Sequence, residues 1–386
     1  MLSFFAAFWL FHLPLLLAAF STLYYLAVLL AALRFRREPE PAATFTPSVS
    51  ILKPVHGIEQ SLYDCLASYF RQDYPQFEII FGLDGGLDDK QDPARWTIAQ
   101  LQRDFPRVAV KVITAPGPQG ANPKMNKLQR MLEEASYEII VVSDADIRVE
   151  RDYLRQVVRP LADETVGLVT CLYRGVPVAG IWSVMEALSI TDFAGQVLLA
   201  RVVEGVRFGL GATLATRKKQ IAEIGGLAPW ADYLADDYII GNKIAARYGV
   251  HLSHTVVETM LPHRSLKETF HQQLRWARTI RFCSPRGYPG LLLTYGVPLA
   301  LIALVYNPAS PLALSILGIT LAARWLAAGA SGVLVCRDGV VLKAFWLFPL
   351  RDVLAFGVWL ASFWGRQVVW HQARYRIEAG GKIRPA

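Results

Sequence analysis

The chain has 386 residues, with 40 Lys and Arg against 32 Asp and Glu, for a formal net charge of +8. Hydrophobic residues make up 53% and charged residues 19%, a balance that excludes an ordinary all-aqueous domain and puts part of the chain in lipid. The basic excess flanks apolar segments, in Arg34-Phe35-Arg36-Arg37 and in Arg366, Arg374, Arg376, Lys382 and Arg384. No basic stripe with interleaved aromatics crosses the middle, which argues against nucleic acid as a partner. Cys65, Cys171, Cys283 and Cys336 form no C-x-x-C pair, so neither a zinc site nor a disulfide scaffold is indicated.

Residues 4–33 are almost uncharged and long enough to span a bilayer, which takes about 20 apolar residues. They lack the basic start and small-residue cleavage site of a signal peptide, so residues 1–37 read as a retained membrane anchor. The basic cluster after it predicts that the following domain is cytosolic. Residues 38–46 (EPEPAATFT) form a Pro-rich linker. From residue 48 the pattern alternates: strands over 48–53, 77–83, 108–113 and 137–143, and helices over 61–71, 94–103 and 124–135. Near-continuous apolar strands separated by amphipathic helices predict an α/β domain over 48–287, with a mostly parallel sheet covered on both faces. Ligands bind such sheets beyond the carboxyl ends of the strands.

Residues 288–365 turn apolar again, with candidate membrane helices over 290–306, 311–335 and 345–364. Pro349, Arg351 and Asp352 interrupt the third. A basic tail, 366–386, follows. Here two signals conflict. Four full crossings put the tail outside, whereas its Arg and Lys residues put it in the cytosol.

Carboxylates gather where strands and turns end. Asp84, Asp88 and Asp89 follow the strand 77–83, Asp144-Ala-Asp146 follows the strand 137–143, and Asp236-Asp237 follows a turn-rich segment. Gln272-Gln-Leu-Arg275-Trp276 lies downstream in a predicted helix. A transferase that uses a nucleoside diphosphate sugar needs such groups. Acids near the first strands accept hydrogen bonds from the nucleoside, and a D-x-D pair holds a divalent cation on the diphosphate through hard oxygens. A separate carboxylate takes the proton from the attacking hydroxyl. Each motif alone has a plain structural explanation as a turn or helix cap; their order on a β/α pattern between membrane segments is far more specific.

The motifs SILKP (50–54), GANPKMNKL (120–128), LADDY (234–238) and HQQLRWAR (271–278) occur in this order. With them the chain resembles glycosyltransferase family 2 and its close relatives, in particular ceramide glucosyltransferases and bacterial hopanoid-associated glycosyltransferases. The resemblance runs as far as Arg374-Tyr-Arg376. It implies a GT-A fold (Rossmann-like, mostly parallel sheet) with N-terminal and C-terminal transmembrane helices. It also implies a UDP-sugar donor and inversion by direct displacement. Asp84 and Asp88 match the nucleoside contacts, with Asp89 or Asp92 as other counterparts. Asp144 and Asp146 match the motif for metal and diphosphate, implying Mg2+ or Mn2+; animal ceramide glucosyltransferases tend to lack the second acid. Asp237 matches the general base, with Asp236 beside it. Gln272, Arg275 and Trp276 match the motif that holds diphosphate and frames the acceptor, and Lys124 is an added diphosphate contact.

The implied partners are a UDP-sugar, the bilayer and a membrane lipid acceptor such as ceramide, a hopanoid polyol or diacylglycerol. The implied location is a bacterial inner membrane, or the Golgi or endoplasmic reticulum. A processive polysaccharide synthase would carry more membrane helices after the Q-x-x-R-W motif. Loss of a central acid would point to an inactive scaffold, but all are present.

Overall fold

A computed structural model describes residues 2–41, 44–57, 61–84, 93–114, 120–370 and 373–386. The chain divides into two compact units that alternate along the sequence. One takes Pro39–Val178, Gly205–Pro262 and Tyr375–Ala386; the other takes Met1–Glu38, Ala179–Glu204 and His263–Arg374.

The first unit is the expected α/β domain. Its strands are β1 (Val49–Pro54), β2 (Phe77–Leu83), β3 (Ala109–Thr114), β4 (Ile139–Val142), β5 (Ile147–Arg148), β6 (Val166–Pro177), β7 (Leu214–Arg217) and β8 (Gly249–Leu261). They form one sheet in the order β3-β2-β1-β4-β7-β6-β8-β5. The first four run parallel, whereas β7 is antiparallel to both β4 and β6, and β8 returns parallel to β6. Alternate residues feed opposite faces, as the two-residue period of a strand requires. Ile51, Ile79 and Val141 pack into one core, and Leu52, Ile80, Ile140 and Val142 into the other. Parallel pairing of β1, β2 and β4 aligns their carboxyl ends, so Lys53, Asp84 and Asp144 arise along one edge.

Up to β6 the helices are α1 (Leu2–Arg37), α2 (Leu62–Phe70), α3 (Pro93–Asp104), α4 (Pro123–Glu134) and α5 (Tyr153–Val158). After β6 come α6 (Ile181–Val203), α7 (Lys218–Glu223) and α8 (Asp236–Ala245). The remainder are α9 (Leu266–Cys283), α10 (Gly296–Tyr306), α11 (Pro311–Ala328), α12 (Gly339–Ala344) and α13 (Phe348–Ser362). Two differences from the sequence expectation concern the division of the chain. Helices α6 and α9, expected within 48–287, group with the apolar helices because apolar and ionic side chains bind them there. The basic tail 366–386 carries strands of its own: after β9 (Gln367–Trp370), β10 (Ala373–Ile377) and β11 (Ile383–Pro385) pair antiparallel, and Tyr375–Ala386 belongs to the α/β unit.

In the second unit, Trp9–Arg37, Pro311–Val335 and Gly339–Ser362 are each long and apolar enough to cross a membrane. A fourth candidate is a broken one, Tyr288–Thr294 with Gly296–Tyr306, bent by 69°. Helix α1 runs antiparallel to α10: Leu15 meets Ala303, Ala18 meets Leu299 and Ala300, and Ser21 abuts Gly296. It runs parallel to α11, with Leu15 beside Ala313, Thr22 bonded to Thr320 at 2.9 Å, and Val28 clustered with Ala327. Glycine at 296 is required by this approach, since a Cβ there would lie 2.6 Å from the Ser21 Cβ.

Candidate active site

The acid motifs converge through two short structures. Val142 ends β4, and the turn after it carries Asp144 and Asp146. Helix α8 begins at Asp236, which places both acids of Asp236-Asp237 in its first turn, where the helix dipole favours negative charge. Asn122 caps α4 by accepting from the Lys124 and Met125 amides at 2.9 and 3.2 Å, and Pro123 suits the first helical position. The Lys124 ammonium is thereby brought to Asp144 Oδ1 at 2.7 Å and to Asp236 Oδ2 at 2.9 Å. Burial works against its charge, but Asp144, Asp236 and Asp237 outweigh that and hold Lys124 protonated.

Asp237 accepts from the Gly211 amide at 2.7 Å on Oδ2 and from the Tyr238 amide on Oδ1 at 2.8 Å. Burial, reinforced by the charge of Asp236 and opposed by Lys124, raises its pKa to about 6. Burial also raises Asp236, with Lys124 opposing and Asp144 reinforcing. Asp146 is pushed up to about 6 by burial and by Asp144; a hydrogen bond from Thr259 at 2.9 Å and the charge of Lys53 oppose this. Crowded carboxylates poised near neutrality mark a site built for proton transfer or for a cation.

A divalent cation fits this donor set. Asp144, Asp146, Asp236 and Asp237 face Lys124 and Lys53, an excess of two negative charges. Asp144 and Asp146 offer hard carboxylate oxygens, and Mg2+ or Mn2+ is held by one or two carboxylates together with substrate phosphates.

The sequence expectations are met unevenly in space. Lys124, Asp144, Asp236 and Asp237 form one connected group, and Asp146 belongs to it electrostatically. Asp84 stands at the end of β2, paired with Lys127 at 2.8 Å and with His56 at 2.6 Å. Burial opposes its ionisation, but these two partners prevail and lower its pKa to about 2. Asp88, Asp89 and Asp92 lie outside the described residues. Gln272, Arg275 and Trp276 sit on α9 in the other unit, where Gln272 Oε1 accepts from Arg275 Nε at 3.4 Å. The Arg275 guanidinium lies 6.0 Å from the Trp276 ring centre. Burial and the neighbouring Arg264 lower its pKa to about 10, against the pull of Glu186. A desolvated cation of this kind is a ready receptor for an anion.

Three positions escaped the sequence reading. Lys53 is fully buried, donates to the Asp144 carbonyl at 2.5 Å and lies 3.8 Å from the Tyr69 ring centre. It fastens the D-x-D turn from below. Lys127 holds Asp84 and also donates to the Val55 carbonyl at 2.8 Å. The available signal was a lysine on an otherwise apolar strand, and another on the apolar face of α4. The third is Gly211. A Cβ there would lie 3.1 Å from Asp144 Oδ2 and 3.3 Å from Asp237 Oδ2, so both carboxylates face the space that its missing side chain leaves. Gly211→Ala is expected to reduce turnover about tenfold without unfolding the protein, because the methyl intrudes between reacting groups. Steady-state rates compared with the thermal midpoint check this, and an unchanged rate would show that the gap is not used.

Comparison with known proteins bears on this geometry. The model of glycosyl transferase family 21 matches residues 13–383. The chain belongs to that family. It is 26% identical over 216 residues to Ceramide glucosyltransferase 1 of Caenorhabditis elegans, covering 56% of this chain and 45% of that protein. It is 34% identical over 146 residues to a ceramide glucosyltransferase of Gibberella zeae, covering 34% of this chain and 27% of that one. The chain thus matches less than half the length of these relatives. A solved mannosyltransferase from Pyrobaculum calidifontis, in complex with GDP-Man and Mn2+, shares the fold with a TM-score of 0.54 at 21% identity. It covers 91% of this chain and 99% of that one. The expected resemblance to ceramide glucosyltransferases and the GT-A fold both hold. Asp84 and Asp144 follow the parallel strands β2 and β4 of that fold, and Asp236 and Asp237 open α8.

Proposed function

We propose that this glycosyltransferase moves a hexose from a UDP-sugar to the hydroxyl of a membrane lipid of the ceramide type, with inversion. The observation that carries the reading is Asp237: a half-buried carboxylate oriented by two amides, beside a Lys124–Asp144–Asp236 ion-pair group. In the proposed reaction Asp237 takes the proton of the lipid hydroxyl as its oxygen attacks the anomeric carbon. Asp144 and Asp146 would hold a divalent cation, which supplies charge stabilisation to the departing diphosphate. Lys124 holds the acids in register and offers a cation to the same phosphates. The ceramide glucosyltransferase relatives and the apolar helices support a lipid as acceptor. Purified protein incubated with a panel of UDP-sugars and extracted lipids should give a singly glycosylated lipid by mass spectrometry. Transfer only to water-soluble acceptors, or a polymer product, would overturn the reading.

The same proposal includes a membrane topology. Helix α1, the bent pair Tyr288–Thr294 with α10, and Pro311–Val335 cross, with α10 antiparallel and α11 parallel to α1. The partners of α13 lie near the Tyr25 end of this bundle: Asp352 binds Arg324, whose guanidinium lies 5.4 Å from the Tyr25 ring centre. Farther along α13, Phe356 packs on Tyr295 and Ser362 bonds to Tyr288 at 2.7 Å. Helix α13 then lies at the interface instead of crossing. Two crossings between residues 263 and 374 return the chain to the side it left, consistent with Tyr375–Ala386 belonging to the α/β unit. Arg34, Arg36 and Arg37 in the last turn of α1 support the cytosol as that side. With the native cysteines replaced, a cysteine at Ala309 should react with an impermeant maleimide from outside, and one at Ala386 only after permeabilisation. Labelling of position 386 in sealed membranes would refute the arrangement.

A further inference from the structure

The loop that leads into the proposed base is held from both sides. On one flank the GANPK segment grips it. The Asn122 amide donates to the Ala231 carbonyl at 2.8 Å, its side chain to the Tyr233 carbonyl at 2.7 Å, and the Ala121 amide to Asp232 Oδ1 at 2.9 Å. On the other flank lies the end of the chain. The Leu234 amide donates to the Gly381 carbonyl at 3.1 Å, and the Ile383 amide to the Asp232 carbonyl at 2.7 Å. Tyr233 and Lys382 form an antiparallel bridge, and the Lys382 ammonium lies 5.6 Å from the Tyr233 ring centre.

Residues 375–386 have their own reasons to be rigid. Ile377 and Ile383 face each other across the β10–β11 pair and are fully buried. Between the strands, Gly380 and Gly381 take φ of +78° and +88°, a left-handed turn that other residues resist. Arg384 pairs with Glu378 at 3.1 Å across the hairpin. Backbone bonds from a rigid hairpin fix the path of residues 232–234, and two residues later that path becomes the first turn of α8, with Asp236 and Asp237.

We infer that the β10–β11 hairpin is a positioning element for the Asp236–Asp237 pair, acting through residues 232–234. This inference rests on the assignment of Asp237 as the base. Its chemical content is geometric: the hairpin touches no reacting atom, and it sets where the carboxylate stands when the acceptor hydroxyl arrives. An error of about 1 Å at such a group can reduce a rate about a hundredfold.

Two variants of the full-length enzyme test it, read by lipid glycosylation. Gly380→Ala adds a methyl that meets nothing within 4 Å, so it acts only by straining the turn. The double variant Gly380→Ala with Gly381→Ala strains it at both positions. The double variant is expected to lower kcat about tenfold or more, with the UDP-sugar KM within about threefold of the parent, and the single variant to fall between. A parental kcat in both would overturn the inference. So would a rise in KM and a collapse of the thermal midpoint in proportion to kcat, which would mark a merely structural hairpin. If the double variant does not fold, the single variant decides by the same split. Asp237→Asn measured alongside separates the two ideas: active Asp237→Asn protein refutes the base, whereas an inactive one with fully active hairpin variants refutes only the hairpin's role.

Discussion

Asp237→Asn is expected to reduce turnover by about 10³-fold while leaving UDP affinity nearly intact, because a general base contributes about 10²- to 10⁴-fold. Asparagine keeps the shape but can accept from only one of the two amides, Gly211 or Tyr238, because its NH2 group is a donor; an unchanged thermal midpoint beside the lost turnover therefore assigns the loss to proton transfer and not to collapse of the loop. A second signature follows from burial. The pKa of about 6 at Asp237 means that the carboxylate takes up a proton as pH falls through about 6. Activity that needs the ionised base should therefore fall on the acid side of that value and hold above it. The residual activity of Asp237→Asn should lack this acid limb. Calorimetric titration with UDP and a pH series of kcat/KM measure both effects, and turnover near the parental level would remove Asp237 from the mechanism.

The largest expected effect on stability lies in the other unit. Asp192 on α6, Arg324 on α11, and Arg351 and Asp352 on α13 form a buried quartet with no net charge. Asp352 is fully buried and accepts from Arg324 at 2.8 and 3.0 Å and from Arg351 at 3.0 Å. Asp192 pairs with both arginines at 2.9 Å. Asp352→Asn leaves an uncompensated buried guanidinium, and removing one partner of such a pair is expected to destabilise the fold by about 3–5 kcal/mol. Replacing Arg324 by Met together with Asp352 by Leu leaves the neutral Asp192–Arg351 pair and should lose much less, since apolar packing often substitutes for a buried pair. Unfolding in mixed micelles compares the two. Equal losses would show that shape, not charge, is what the quartet supplies. It also explains why charged residues interrupt the third predicted membrane helix: they are spent on joining three helices.

Much of the α/β unit was legible in the sequence. The runs SILKP, FEIIFGL and EIIVV are apolar on both faces, as only the interior strands of a covered parallel sheet are. The predicted 137–143 strand shortened to Ile139–Val142, and the other early elements shifted by only a few residues, where caps and not periodicity set the ends. The edge strand β3 is more exposed, consistent with its position. The acids could be picked out because each followed a strand or turn. Their partners could not, because the motifs that contain Lys53 and Lys127 do not say what these lysines bind, and Gly211 lies in none. Each is defined by what lies across the sheet or across a loop: a carbonyl above Lys53, Asp84 beyond α4, and two carboxylates facing a missing Cβ.

The grouping of elements was the other hidden layer. Hydropathy marks which segments suit lipid, but a bent pair such as Tyr288–Thr294 with Gly296–Tyr306 and an interrupted helix such as α13 score alike whether they cross or lie flat. Which helices each of them packs on is set by side-chain partners, and those are long-range. By itself the sequence determined an α/β domain between apolar segments long enough to cross a membrane, with an ordered set of acids resembling those of glycosyltransferases, since strand period, apolar length and motif order are local properties. Only the tertiary structure decided which acids share one lysine, how the chain's end grips the loop before Asp237, and which charges neutralise each other inside the apolar bundle. Those outcomes depend on distances between residues far apart in the chain, which no local pattern encodes.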